Sequence, residues 1–518
     1  MKAVVACALA ALVGASLADT SAASEVDTSA QQLPSVAPSN EAERSYLHHD
    51  YLFVEDESLH VAVQSVIDTL LAKQPGQHRP RLLIYSAENF SAAADIEGNI
   101  LISTGTLRKL DSEDELAALL AHELAHVIQK HPSKKSFMQR FPVGVDSYSA
   151  IVAASDRLQK SAGKAEQSDT KLNQKRVAHS QNVSLFWSDI LAPSWNRKDE
   201  QQADRLGLEM MQAAGYDPRA VVTLIAKLAE ARVQRSQRMQ ALCDEMVAHE
   251  QKRRLETSSD NQLTQAAALE VDNLRGKGSE KLIREGFDEL LKFSSPYSSN
   301  DERIEQIKQE FATSGRDMVA TKKMKYRKQA KDNGELLNLD EQAIAGMSSL
   351  AREDVRAGIE ALRQVATSKS NSPHFKLAAG AYYEAQNEPV KSDAAIVEWL
   401  ATPRAPVIAF VLHADYQSSR QNYSGALATL DAGRMRLDAP VPFLPPMITA
   451  ARLNKDEALA ERLTLECKAA EQQSLLVKTA NVFTGGKPTG VYAECISKLG
   501  RLPAAAQGEG GWLDRLKR

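Results

Sequence analysis

His122 and His126 stand four residues apart in the run His122-Glu123-Leu124-Ala125-His126. A helix brings positions i and i+4 onto one face, so two such imidazoles can chelate a single ion. Glu123 sits beside the first histidine and is placed to act as general base on a water at the metal rather than to bind the metal. Catalytic zinc takes three protein ligands and keeps one position open, so a third ligand must come from another element. The acidic run Asp199-Glu200-Gln201-Gln202-Ala203-Asp204 supplies two carboxylates that are also four apart, Glu200 and Asp204. One can bind metal while the other hydrogen-bonds a ligand imidazole from behind. Two histidines on an apolar helix face would be costly to bury without such a role.

These groups need rigid elements to hold them. Ser112, with Glu115 three residues on, forms a capping box that opens a helix. That helix runs through both histidines to His131 and stops before Pro132. The second acidic run lies on a helix predicted from near Arg197 to Ala214, with Gly215 as its stop signal. Arg81 to Tyr85 and Asn99 to Ser103 read as strands, separated by a polar turn and punctuated by Gly98 and Gly105. Residues 45–75 read as an opening helical element, with apolar residues from Leu59 to Leu71 at helical spacing. Asn99 to Ser103 is taken as the edge strand of a small sheet, where an extended substrate adds by backbone hydrogen bonds.

The 518 residues carry a formal net charge of −4 and are 43% hydrophobic but only 5% aromatic. That length implies several domains, and the richness in Ala, Leu, Glu, Lys and Gln favours helix. Near-neutral charge gives no reason to expect nucleic acid as partner. Met1 to Ala18 reads as a signal peptide cleaved after Ala18, which places the mature chain in the periplasm or outside the cell. Cys7 has too short a leader for lipidation, and no later run reaches the ~18–20 apolar residues of a transmembrane helix. Residues 19–44 read as a disordered leader. A catalytic domain follows over 45–312, with an insertion at 133–190 and a helical arm at about 225–292. Then come a charged linker at 313–345, a helical-repeat domain at 346–500 and a tail at 501–518. Val407 to Pro440 spans 34 residues (440 − 407 + 1) and loosely resembles a tetratricopeptide repeat, with flanking helix pairs near 374–400 and 443–470. Cys467 and Cys495 either pair across neighbouring helices in an oxidising compartment or stay as buried thiols, which leaves Cys243 unpaired.

From about Arg81 to Arg219 the chain resembles the HtpX/BepA-type gluzincins, zinc endopeptidases related to the CAAX prenyl proteases. The resemblance rests on Asn99 to Ser103 with Thr104-Gly105, and on His122-Glu123-Leu124-Ala125-His126. It rests also on Glu200-Gln201-Gln202-Ala203-Asp204-Arg205 with Gly207, and on Ala214-Gly215-Tyr216-Asp217-Pro218. It implies an α+β, predominantly helical fold: a zincin-like domain with a small sheet and an active-site helix, followed by helical repeats. It implies one Zn2+ per chain on His122, His126 and Glu200, with Glu123 as catalytic base. Asp204 then supports the site or donates a proton.

The leader and the repeats are similar to the periplasmic BepA-like branch, associated with quality control of outer-membrane proteins. Unfolded or misassembled proteins are then the substrates, and envelope assembly machinery a partner of the repeats. One departure stands out. Ser295, in Ser294-Ser295-Pro296-Tyr297 before Glu302-Arg303-Ile304, replaces a histidine that caps the zinc and restrains activity in that branch. The chain then has no such latch, or a substitute in His249 or His131. His131, at a helix end, reads rather as a C-terminal cap. The oxyanion partner stays open among His131, Asp204 and Arg197. The competing readings are a repeat-containing chaperone whose peptidase site is latent, and another zinc hydrolase such as an amidase.

Overall fold

The computed structural model describes residues 41–48, 50–74, 79–95, 97–131, 197–231, 331–351, 354–368 and 372–473, with scattered positions from 233 to 305 and Cys495 and Lys498 beyond. The expected signal peptide, the insertion at 133–190, Ser295, His249, Cys243 and the tail lie outside these residues. Helix α1 (Glu41–His48) begins inside the stretch read as a disordered leader. Helix α2 (Glu57–Leu71) is capped by Asp56, whose side chain accepts from Leu59 N, and it buries the apolar stripe from Leu59 to Leu71.

Three strands follow: β1 (Leu82–Tyr85), β2 (Ala92–Ala94) and β3 (Ile100–Ser103). Their order is β1-β3-β2. β3 pairs parallel with β1, Leu82 opposite Ile100, and antiparallel with β2, Ala93 opposite Leu101. The expectation that Asn99 to Ser103 forms the edge is therefore wrong: β3 is central, and β2 is the edge beside it among the described strands. The physical reason lies in composition. Leu-Leu-Ile-Tyr and Ile-Leu-Ile-Ser are buried throughout, as parallel strands covered on both faces are. Ala92-Ala93-Ala94 has low strand propensity and reads as part of a turn, yet its small side chains let a helix approach closely.

That approach is made by the motif helix. After α3 (Thr104–Lys109), α4 (Glu113–Ile128) starts at Ser112, whose hydroxyl accepts from Glu115 N at 3.1 Å. Glu115 does not close the box on Ser112; its carboxylate accepts from Asp111 N at 2.7 Å and from Lys227 at 2.7 Å. From Glu113 to Ala121 every residue of α4 is buried. The helix packs on α2, β2 and α5 (Arg197–Ala214), as a helix apolar on nearly all sides must. Leu116, Leu119, Leu120 and Leu124 each contribute roughly 1.5–3 kcal/mol by this burial.

Helix α5 ends where the sequence predicts. Gly215 takes a left-handed φ of +75°, and Tyr216 N bonds back to Met211 O at 2.9 Å, a Schellman closure. The next residues return to the start of α4: Asp217 N donates to Asp114 Oδ1 at 2.8 Å and Tyr216 OH to Glu113 Oε1 at 3.3 Å. The two motif helices thus run antiparallel.

Four helix pairs complete the described structure: α6 (Lys331–Ala351) with α7 (Val355–Thr367), and α8 (Phe375–Ala385) with α9 (Pro389–Leu400). These are followed by α10 (Val407–Ser419) with α11 (Tyr423–Leu437), and α12 (Pro440–Leu453) with α13 (Glu457–Gln473). Successive helices pack on each other. Helix α6 occupies part of the stretch expected as charged linker: Glu335 and Glu341 face outward while Leu336, Leu337, Ile344 and Met347 are buried, so composition alone misread it. Cys467 and Cys495 form a disulfide. No helix of the described residues is long and apolar enough to cross a membrane.

Polar contacts fasten these pairs to the sheet-bearing half. Arg108 on α3 bonds Asp340 on α6 at 2.7 Å. Glu43 on α1 holds both Arg81 and Arg404. Asp50 accepts from Ile408 N at 2.8 Å, in the first turn of α10. Burial pushes the Asp50 carboxyl up to about 7 despite that hydrogen bond. A carboxyl raised on folding favours the native state in its protonated form. Its contribution is complete below its ordinary value near 4 and is lost as pH rises towards 7. Asp50→Asn, which keeps an acceptor for Ile408, is expected to stabilise the chain more at pH 8 than at pH 5, by a difference on the order of 1–3 kcal/mol. Chemical denaturation at the two pH values checks it; an equal gain at both contradicts it.

Candidate metal centre

Helices α4 and α5 cross at Gly207. A Cβ there would stand 3.3 Å from Ala121 C and His122 N, so only glycine lets the backbones come this close. Two turns earlier on α5, Glu200 faces the two motif histidines. His122 Nε2 lies 3.8 Å from Glu200 Oε2, His126 Nε2 lies 3.7 Å from Glu200 Oε1, and the two Nε2 atoms are 3.1 Å apart. Among the described residues His122, His126 and Glu200 form the group of His, Cys, Asp and Glu side chains that could hold a metal ion. His126 and Glu200 are buried and His122 is half-buried.

The proton positions show what the group fits. Asp204, one turn after Glu200, takes His122 Nδ1 at 3.0 Å. A carboxylate accepts, so the His122 proton sits on Nδ1 and its Nε2 lone pair is bare. His126 Nδ1 meets His131 Nδ1 at 2.9 Å. Its Nε2 therefore also turns towards the shared point. Bare lone pairs and a carboxylate converging at such distances are a cation-binding set. Ligand atoms around a tetrahedral zinc with bonds of about 2.0–2.1 Å stand about 3.3 Å apart, close to the spacing here.

Glu123 points elsewhere. It is buried, and its Oε2 accepts from Ala94 N at 2.8 Å. Asp95 N bonds to Asn99 O on the β3 side. Alternate residues of an antiparallel ladder turn their N–H groups outward, so Ala94 presents its N–H to the open side of β2. The carboxylate thus sits against the sheet edge, on the residue next to His122.

All five side chains singled out in the sequence come together here. His131 lies on the far, Nδ1 side of His126, away from the point shared by His122, His126 and Glu200. Asp204 likewise lies behind His122. The Arg197 side chain lies outside the described ones. Sequence reasoning missed β2 and the part its backbone plays. Backbone N–H groups leave no residue signature, and three alanines give no strand signal.

Residues 55–310 match the model of Peptidase family M48. The beta-barrel assembly-enhancing protease of Yersinia pestis is 32% identical over 148 residues, 28% of this chain and 27% of that protein. The protein of the same name from Escherichia coli (strain K12) is 28% identical over 144 residues, 27% of this chain and 26% of the relative. The mitochondrial metalloendopeptidase OMA1 of Schizosaccharomyces pombe is 32% identical over 127 residues, 24% of this chain and 31% of that protein. The alignments thus span about a quarter to a third of these relatives' lengths. With the paired histidines, the glutamate and its supporting aspartate gathered in one cluster, the chain carries a domain of peptidase family M48 and groups with the HtpX/BepA-like metalloproteases.

Proposed function

We propose that this chain is a zinc-dependent metalloendopeptidase that cleaves unfolded or misassembled proteins in the cell envelope. The observation that carries the reading is the convergence of His122, His126 and Glu200, with Glu123, beside His122 in the chain, bonded to Ala94 N of β2. Zinc bound there would polarise a scissile carbonyl and lower the pKa of a water beside it. The rest falls to the chain. Glu123 accepts the water's proton on a carboxylate oxygen and delivers it to the leaving amine. Asp204 holds His122 in the Nδ1–H form. An extended segment lies along β2, rather than β3, and bonds to its outward backbone groups. Only an unfolded or flexible stretch can do so, and this selects misfolded clients.

Several observations support an envelope setting. The leader reads as a signal peptide cleaved near Ala18. The Cys467–Cys495 disulfide suits an oxidising compartment such as the periplasm. Two relatives are named for assembly of β-barrels. The helix pairs beyond residue 331 offer a surface for clients or for assembly machinery, within domains we delimit as 45–312 for catalysis and 346–500 for the repeats, with α6 leading into the latter.

The test uses residues 19–518 with denatured casein. Cleavage should cease with a zinc chelator and return on adding zinc. Cleavage that ignores chelation refutes the reading. Bound zinc with no cleavage favours the chaperone with a latent peptidase site.

A further inference from the structure

His131 is tied into the site twice over. Helix α4 ends at Ile128, and Lys130 takes a left-handed φ of +52°. The chain then folds back, and His131 N donates to His126 O at 3.1 Å. The imidazole is thereby laid against the imidazole of His126, with Nδ1 on Nδ1 at 2.9 Å. On its other side His131 Nε2 meets Gln202 Oε1 at 3.1 Å, with Asp199 Oδ1 at 3.9 Å. Both oxygens are acceptors, so the His131 proton belongs on Nε2. Its Nδ1 is then a bare acceptor and takes the Nδ1–H of His126. That in turn leaves His126 Nε2 deprotonated towards His122 Nε2 and Glu200.

We propose that His131 is a positioning residue of the metal site, one that fixes the tautomer and ring angle of His126 through a relay that ends on Gln202. The two metal-facing histidines are thus supported by different chemistry: His122 by the carboxylate of Asp204, His126 by an imidazole and an amide. The relay links the C-terminal end of α4 to α5 a second time, from Gln202, two residues beyond Glu200. It rests on the reading of His122, His126 and Glu200 as a metal site. Partners of this kind on ligating histidines are worth about 10–100-fold in metal affinity.

The experiment measures zinc affinity by competition with a chromophoric chelator, and the absorption spectrum of the cobalt-substituted protein, for full-length wild type, His131→Leu and His131→Asn. Asn can place an amide oxygen near the former Nδ1; Leu cannot. We expect His131→Leu to bind zinc at least tenfold more weakly with an altered cobalt spectrum, and His131→Asn to recover most of the loss. Equal affinities in all three overturn the proposal. So does an equal loss in Leu and Asn, which would mark His131 as packing only. If His131→Leu does not fold, Gln202→Leu decides: a several-fold loss supports the relay, and unchanged affinity and spectrum overturn it. Wild-type zinc binding tests the metal site itself, so failure there is distinct from failure of the relay.

Discussion

Glu123→Gln is expected to lower kcat by roughly 10²–10⁴-fold, the range that a positioned general base contributes, while leaving zinc bound. The amide keeps an oxygen that can accept from Ala94 N, which Glu123 Oε2 does now at 2.8 Å, so the edge of β2 and the helix beneath it need not move. What disappears is the capacity to take a proton. Stopped assays on a fluorogenic unfolded substrate, with metal content measured on the same sample, separate the two effects. Loss of zinc together with activity would mean that Glu123 helps to hold the metal. Unchanged cleavage would remove it from the chemistry.

The second large effect is expected at Gly207, which has no side chain to take part in the chemistry. Its Cα is pressed on the backbone of Ala121 and His122, and even a Cβ would meet Ala121 C and His122 N at 3.3 Å. Gly207→Val must push α5 away from α4 or bend it. Overpacking of this kind costs about 1–3 kcal/mol. The larger consequence is geometric. Glu200 rides on α5, while His122 and His126 ride on α4. Separating the helices opens the 3.7–3.8 Å gaps across the site. Zinc affinity is expected to fall by tenfold or more, with a lower thermal midpoint. Gly334→Ala, where an added Cβ meets nothing within 4 Å, is the control and should leave zinc binding unchanged. Equal zinc affinity for Gly207→Val and wild type would show that the crossing is not what sets the ligand distances.

The parts of this site that are side chains were legible from spacing. Two pairs at i and i+4, His122 with His126 and Glu200 with Asp204, each declare a shared helix face. Ser112 and Gly215 mark where those helices begin and end. The repeat pairs were legible for the same reason, since helical periodicity is local. What escaped is what depends on tertiary context. The position of a strand in its sheet is set by its neighbours, so β3 looked like an edge until β2 was seen beside it. Helix α6 hid behind its own charges. His131 gave the signal of a helix cap, and it does sit at the helix end. Only the fold-back after Lys130 turns its ring onto His126.

Three side chains from two helices, His122, His126 and Glu200, converge on one point that can hold an ion. The most direct measurement is anomalous scattering at the zinc edge from crystals of the purified chain. The prediction is a single strong peak per chain, about 2.0–2.2 Å from His122 Nε2, His126 Nε2 and a Glu200 oxygen. A peak elsewhere, or zinc-replete crystals with none at this point, would contradict it.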